Sequence, residues 1–141
     1  MDADPFDLQR FVDAQSRVMD DVEHELAQGR KRTHWMWFVF PQLAALGRSA
    51  TARHFGLSSL AEAQAYLQHP VLGERLRHCC RLLLQIDSND PNAVFGSPDD
   101  LKLRSCLTLF SLAAPTDPLF AQCLRKFYGG LSDEQTQALC A

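Results

Sequence analysis

Apolar residues recur three and four positions apart along most of the chain, the spacing of one face of an α-helix. Leu8, Phe11, Val12, Gln15, Val18, Met19, Val22 and Leu26 form such a stripe and predict a first helix over 5–28. Gly29 is placed to cap its C-terminus. Asp13, Arg17, Asp20, Asp21 and Glu25 fall on the opposite face, where solvent is expected. A short helix is predicted over 49–55. Ser59-Leu60-Ala61-Glu62 has the form of a capping box and opens a helix running to Gln68. His69-Pro70 then breaks and restarts the chain, with Pro70 suited to the first turn of the next helix. Leu72, Leu76, Cys80, Leu83 and Leu84 make its buried stripe, and Arg75, Arg77, His78 and Arg81 crowd its other side.

Ser97-Pro98-Asp99-Asp100 signals another start: a Ser cap, Pro at the first position, and acids at the positive end of the dipole. The helix over 98–113 is apolar nearly all round, which predicts a central position. Asp117-Pro118 opens the next, stopped by Gly129-Gly130, and Ser132-Asp133-Glu134 opens a short terminal one. The apolar run Trp35 to Phe40 fits a strand or a buried helix equally well. No internal repeat, low-complexity segment or linker interrupts the pattern. The expectation is a mostly α protein, a compact single-domain bundle of about six or seven helices over 1–141.

Composition changes this picture little. The chain has 141 residues, 46% hydrophobic and 22% charged, enough to bury a core without disulfides or metal. A net charge of -3 supplies no global field toward nucleic acid or an anionic membrane. Any anion site must be local. Met1-Asp2-Ala3-Asp4-Pro5 lacks the basic-then-apolar pattern of a signal peptide, and no apolar run is long enough to span a bilayer. A cytoplasmic location is expected. The five cysteines are odd in number and form no C-x-x-C, so neither a disulfide framework nor a zinc knuckle is expected. Cys79, Cys106 and Cys123 sit among apolar neighbours as small hydrophobes. The histidines share no metal-ligand spacing; His69 reads as a helix cap.

Three segments can carry chemistry. In Gly29-Arg30-Lys31-Arg32-Thr33-His34-Trp35-Met36-Trp37-Phe38-Val39-Phe40-Pro41-Gln42, cationic groups run into both tryptophans. Lys31, Arg32 and His34 can grip an anion while Trp35 or Trp37 stacks on a ring. The same block also reads as a solvated basic loop followed by core. Two tryptophans at i, i+2 cannot share a helical face, so one is expected near a surface or cleft. In Asp99-Asp100-Leu101-Lys102-Leu103-Arg104-Ser105, the pairs Asp99–Lys102 and Asp100–Arg104 support a helix, and Lys102 and Ser105 share a face. Gly47-Arg48-Ser49 precedes a helix start, a common anion site and an equally common way to begin a helix. Phosphate-loop, dinucleotide, zinc-protease and serine-hydrolase motifs are absent.

Taken together the blocks resemble the domain of unknown function (DUF) 1810 family. The resemblance runs through Phe11–Gln15, Gly29–Gln42, Leu46–Ser49, Glu62–Leu67, His69–Gly73, Phe95–Lys102 and Thr108–Phe110, in order over nearly the whole chain. It implies a compact, mostly helical domain and assigns no activity. Two departures are small: Ser105-Cys106-Leu107 stands where the family typically has Ser-Ser-Met, and Ala45-Leu46-Gly47 where Gly-Leu-Gly is usual. The acidic helix start with its basic residue and apolar-aromatic run is also similar to NADAR-type proteins, which process ADP-ribose.

Two functions follow as expectations. One is a pocket for an anionic, phosphorylated, nucleotide- or ADP-ribose-like small molecule, held by Lys31, His34, Arg48, Lys102 and Arg104. Trp35 or Trp37 would supply the stacking surface, and Gln42 and Ser105 neutral hydrogen bonds. Were that site catalytic, Asp99 or Asp100 would be the general base, with Lys102 or Arg104 stabilising negative charge. The other is a non-catalytic interaction or regulatory module using the basic segment 30–34. Neither requires a cofactor or metal. Convergence of the 29–42 and 97–105 blocks separates the two.

Overall fold

The helical pattern is realised as ten α-helices in a computed structural model describing residues 4–141. The reading of Met1–Ala3 as part of an acidic start lies outside the described residues. The helices are α1 (Gln9–Ser16), α2 (Met19–Ala27), α3 (Met36–Val39), α4 (Ala50–His54), α5 (Leu60–Gln68), α6 (Leu72–Gln85), α7 (Pro91–Phe95), α8 (Asp99–Ala113), α9 (Pro118–Tyr128) and α10 (Glu134–Cys140). A 3-10 turn covers Ala44–Leu46. The protein is mostly α as expected, but the described residues form ten α-helices rather than six or seven.

The surplus has local causes. The predicted first helix is two, because Val18 leaves helical geometry and its N–H closes a tighter bond onto the Gln15 carbonyl at 3.0 Å. At the break, Ser16 Oγ donates back to the Val12 carbonyl and competes with the ladder. The stripe survives: Leu8, Phe11, Gln15, Val22 and Leu26 are all buried. The Trp35–Phe40 run resolves into helix α3, and α7 is an unexpected turn whose cap, Asp90, accepts the Asn92 N–H at 3.0 Å.

Several caps sit where the sequence puts them. Gly29, at φ +75°, ends α2 with the Arg30 N–H on the Glu25 carbonyl and the Gly29 N–H on the Leu26 carbonyl, a complete Schellman motif. Ser59 Oγ accepts the Glu62 N–H. Glu62 returns to Ser58, one residue earlier than a capping box requires, accepting from its N–H at 2.8 Å. His69 Nδ1 accepts from the amides of Val71 and Leu72, and Pro70 lies ahead of α6 rather than in its first turn. Before α8, Pro98 occupies the cap position itself and Ser97 makes no cap; the Ser97–Pro98 peptide is cis.

Helix α8 is central, as its all-round apolarity predicts, packing against α5, α7, α9 and α10. The core draws on residues from Leu8 to Phe127, with Trp35, Tyr66, Phe11, Phe40, Phe110 and Phe120 its largest fully buried members. One close approach shapes the region beside α8. An isolated bridge joins Leu43 to Leu57, with the Ala44 N–H on the Leu57 carbonyl at 2.8 Å. A Cβ on Gly56 would lie 2.3 Å from Ala44 Cα, so only glycine lets the two segments meet. That junction sets the course of the chain from Leu46 to Ser49. Among the described residues, no helix is long and apolar enough to cross a membrane.

Candidate functional site

The two blocks that carry the candidate chemistry meet. Lys31 Nζ lies 2.9 Å from Asp99 Oδ2, and its side chain is only 7% exposed. Lys102 Nζ approaches Asp99 Oδ1 at 3.8 Å, the expected i, i+3 pair. Each lysine also stands over a tryptophan: Lys31 is 5.1 Å from the Trp35 ring centre, and Lys102 is 5.3 Å from that of Trp37. Two ammonium groups thus share one carboxylate, leaving one positive charge uncompensated within the cluster. The Lys31 amide donates to the Val94 carbonyl at 2.8 Å, fixing the loop to α7 as well.

The loop carrying Lys31 is held from behind by a residue the sequence places wrongly. Glu25, expected on the solvent face, is 4% exposed. Its carboxylate accepts from the amides of Arg32 and Thr33, the Thr33 hydroxyl and the Trp35 indole N–H. Burial alone would raise its pKa. The donors, Thr33 Oγ1 foremost, outweigh that and hold it below the usual carboxylate value. The cause of the misplacement is the Schellman turn, which folds residues 30–35 back over α2.

Beside the lysine cluster opens a cavity of about 570 Å³ between the Leu46–Ser49 segment, the first turns of α8 and the start of α10. Gln42, Arg48, Lys102, Arg104 and Ser105 line it, with Leu46, Ala52, Pro98 and Leu101 as apolar wall. Its size is within the ordinary range for small-molecule sites. Asp133 and Gln135 also line it, and neither stood out in the sequence. Asp133 was legible only as a helix start, and it does cap α10, accepting from the Thr136 amide at 2.9 Å.

The remaining candidates divide clearly. Trp35 is fully buried and bonded to Glu25, so it is a core residue and offers no stacking face. Trp37 is half-buried; it does not line the cavity, and Lys102 stands between the two. Lys31 and Asp99 form the cluster rather than the cavity wall. His34 is exposed, outside the cavity lining.

The Asp100–Arg104 pair does not form. Arg104 instead donates to the carbonyls of Leu131 at 2.9 Å and Ser132 at 2.6 Å, tying the α9–α10 connection to α8. Asp100 accepts the Leu101 amide, and its own carbonyl takes the Tyr128 hydroxyl. Burial, then the nearby Asp100 charge, raises the Tyr128 pKa and keeps that phenol protonated. Ser105 Oγ donates to the Leu101 carbonyl at 3.2 Å. At the Gly47-Arg48-Ser49 start, Ser49 Oγ accepts the Ala52 N–H, so one of the first-turn donors of α4 is already used. Asp99 thus faces the two lysines, while the Asp100 carboxylate accepts from the Leu101 amide and, at 3.4 Å, from Asn92 Nδ2.

A family model described as "Protein of unknown function (DUF1810)" matches residues 5–140. A crystal structure of the conserved hypothetical protein Rv1873 from Mycobacterium tuberculosis is similar to this chain, with a TM-score of 0.95 and 54% sequence identity. The similarity covers 97% of this chain and 98% of that one. No curated protein matches the chain.

Proposed function

The chain belongs to the DUF1810 family, and from the cavity beside α8 we propose that it binds a small anionic molecule, phosphorylated or nucleotide-like. The observation that carries this reading is the position of Lys102. It lines the cavity, stands over Trp37 and shares Asp99 with the nearly buried Lys31. Because Lys31 already holds Asp99 at 2.9 Å, Lys102 is the less committed cation and can turn to a ligand. Arg48 adds a second charge on the facing wall, and Gln42 and Ser105 add neutral groups. Asp99 is then a positioning group for the lysines, and binding rather than base catalysis is the proposed role. A cytoplasmic location fits a ligand of that class.

The test is thermal unfolding against NAD, ADP-ribose, nucleotides, sugar phosphates and polyphosphates. A ligand at one hundred times its dissociation constant adds about 2.7 kcal/mol, an upward shift of several degrees. A shift from one class that disappears in Lys102→Ala supports the reading. No shift from any member sinks it. One observation favours a second reading, an acidic protein partner: Arg30, Arg32 and His34 remain exposed while Lys31 between them is pinned.

A further inference from the structure

We infer that the ligand of this cavity is an anion bearing an extended aliphatic arm, such as an alkyl or acyl chain; this rests on the anion-binding reading above. Among the described residues, the exposed large hydrophobic side chains are Leu101, Leu131 and Leu139, at 59%, 68% and 53%. Single exposed leucines are ordinary, but two of these, Leu101 and Leu139, line adjoining depressions. Leu101 is in the cavity wall, and the Leu131 carbonyl is bonded to the cavity's Arg104. Leu139 lines a second depression, of about 430 Å³, which shares Leu46, Gly47, Arg48 and Gln135 with the first and so continues it.

The shape of the lining selects the chemistry. Among the described residues in the walls of these two depressions none is aromatic, so a flat base finds no ring to stack on there. The apolar wall is aliphatic: Leu46, Ala52 and Leu101 in the first depression, Ala138 and Leu139 in the second. A wholly polar anion would leave this wall wet. An uncharged chain would leave Arg48 without a counter-charge and Lys102 with only the Asp99 carboxylate it shares with Lys31. Three basic side chains against the single carboxylate of Asp133 favour a negative head. Arg48 lines both depressions, so the head sits near their junction, within reach of Lys102, and the arm runs toward Leu139.

The test is isothermal titration calorimetry of the full chain with butyl, hexyl and octyl phosphate below their micelle concentrations, beside inorganic phosphate, ADP-ribose and octanol. Each added methylene is expected to tighten binding about fourfold until the groove is filled. Leu139→Ser, at an exposed position, is expected to weaken octyl phosphate and leave butyl phosphate unchanged. Lys102→Gln is expected to weaken every alkyl phosphate. Binding of phosphate or ADP-ribose without dependence on chain length overturns the aliphatic arm and leaves the anion pocket standing. Octanol binding as tightly as octyl phosphate overturns the anionic head. No heat from any alkyl phosphate at either 15 °C or 35 °C overturns this inference, and the anion-binding reading falls with it only if the thermal-unfolding panel is silent too.

Discussion

Lys31 and Asp99, from opposite halves of the chain, form a 2.9 Å ion pair in which the lysine is almost withdrawn from solvent. The contact ties the loop after α2 to the first turn of the central helix. Removing one partner of a buried pair strands the other, whereas removing both relieves the desolvation of each. Lys102 stays within reach of Asp99 and softens the loss. Lys31→Met is therefore expected to cost about 1–3 kcal/mol in urea unfolding, below the usual figure for a fully buried pair. The double variant with Asp99→Asn is expected to be less destabilised than the sum of the singles. Simple additivity would show that the pair contributes nothing specific.

Glu25 makes the same loop sensitive to acid. Its folded pKa lies below the ordinary carboxylate value because four donors converge on the charged form. The sign follows from linkage: a group depressed on folding adds stability above its unfolded pKa and loses it as pH falls through the folded one. Glu25→Gln is expected to lower stability at pH 7 by about 2–3 kcal/mol, since an amide replaces an acceptor facing only donors. The loss on acidification, read by thermal unfolding from pH 7 down to pH 3, is expected to be shallower in the variant. An unchanged acid limb would show that other carboxylates set it.

Two glycines separate two kinds of backbone constraint. Gly56→Ala would drive a methyl group to 2.3 Å from Ala44 Cα, a collision with backbone that no rotamer relieves. A loss of about 3 kcal/mol or more is expected, since overpacking against a fixed main chain is at the costly end of its range. Gly129 also has positive φ, +62°, but its added Cβ meets nothing within 4 Å. Gly129→Asn is expected to cost well under 1 kcal/mol, because Asn tolerates the left-handed region. Chemical denaturation of the two variants side by side checks the contrast.

What could be read in advance was the chain's local chemistry. Ser59, Asp117, Asp133 and Gly29 each cap a helix from within a few residues, so their roles are written in nearest neighbours. Helix α8 announced its central place through apolarity on every side. The break at Val18 was hidden because an apolar stripe continues across it without a change of spacing. Glu25 was hidden for a different reason. Its four donors lie beyond a turn, and a periodic pattern assigns faces only within one helix. The meeting of Lys31 with Asp99, and of Lys102 with Trp37, is a tertiary fact that residue types permit without dictating. Asp133 and Gln135 enter the cavity because Arg104 binds the carbonyls of Leu131 and Ser132 in place of Asp100. A local i, i+4 rule pointed to the wrong partner there.

The thiols offer a last check on the packing. Cys79, Cys80, Cys106 and Cys123 are buried and all five cysteines are free. Desolvation pushes the Cys79 thiol up to about 12 and holds that of Cys106 well above its ordinary value. Cys80 is raised as well, through its contact with Cys123 and then burial, and Cys123 Sγ donates to the Cys80 carbonyl at 3.5 Å. Thiolate is the reactive form, so Cys79, Cys80 and Cys106 are expected to resist a disulfide reagent at pH 7.5 in the native protein, and Cys123 is buried out of the reagent's reach. Cys140, half-buried near the end of α10, is the one expected to react, slowly, because burial raises its pKa too. Titration should count at most one thiol in the native state and all five in guanidinium. Two or more fast-reacting thiols in the native protein would mean that the α6–α8–α9 interior opens far more often than its packing implies.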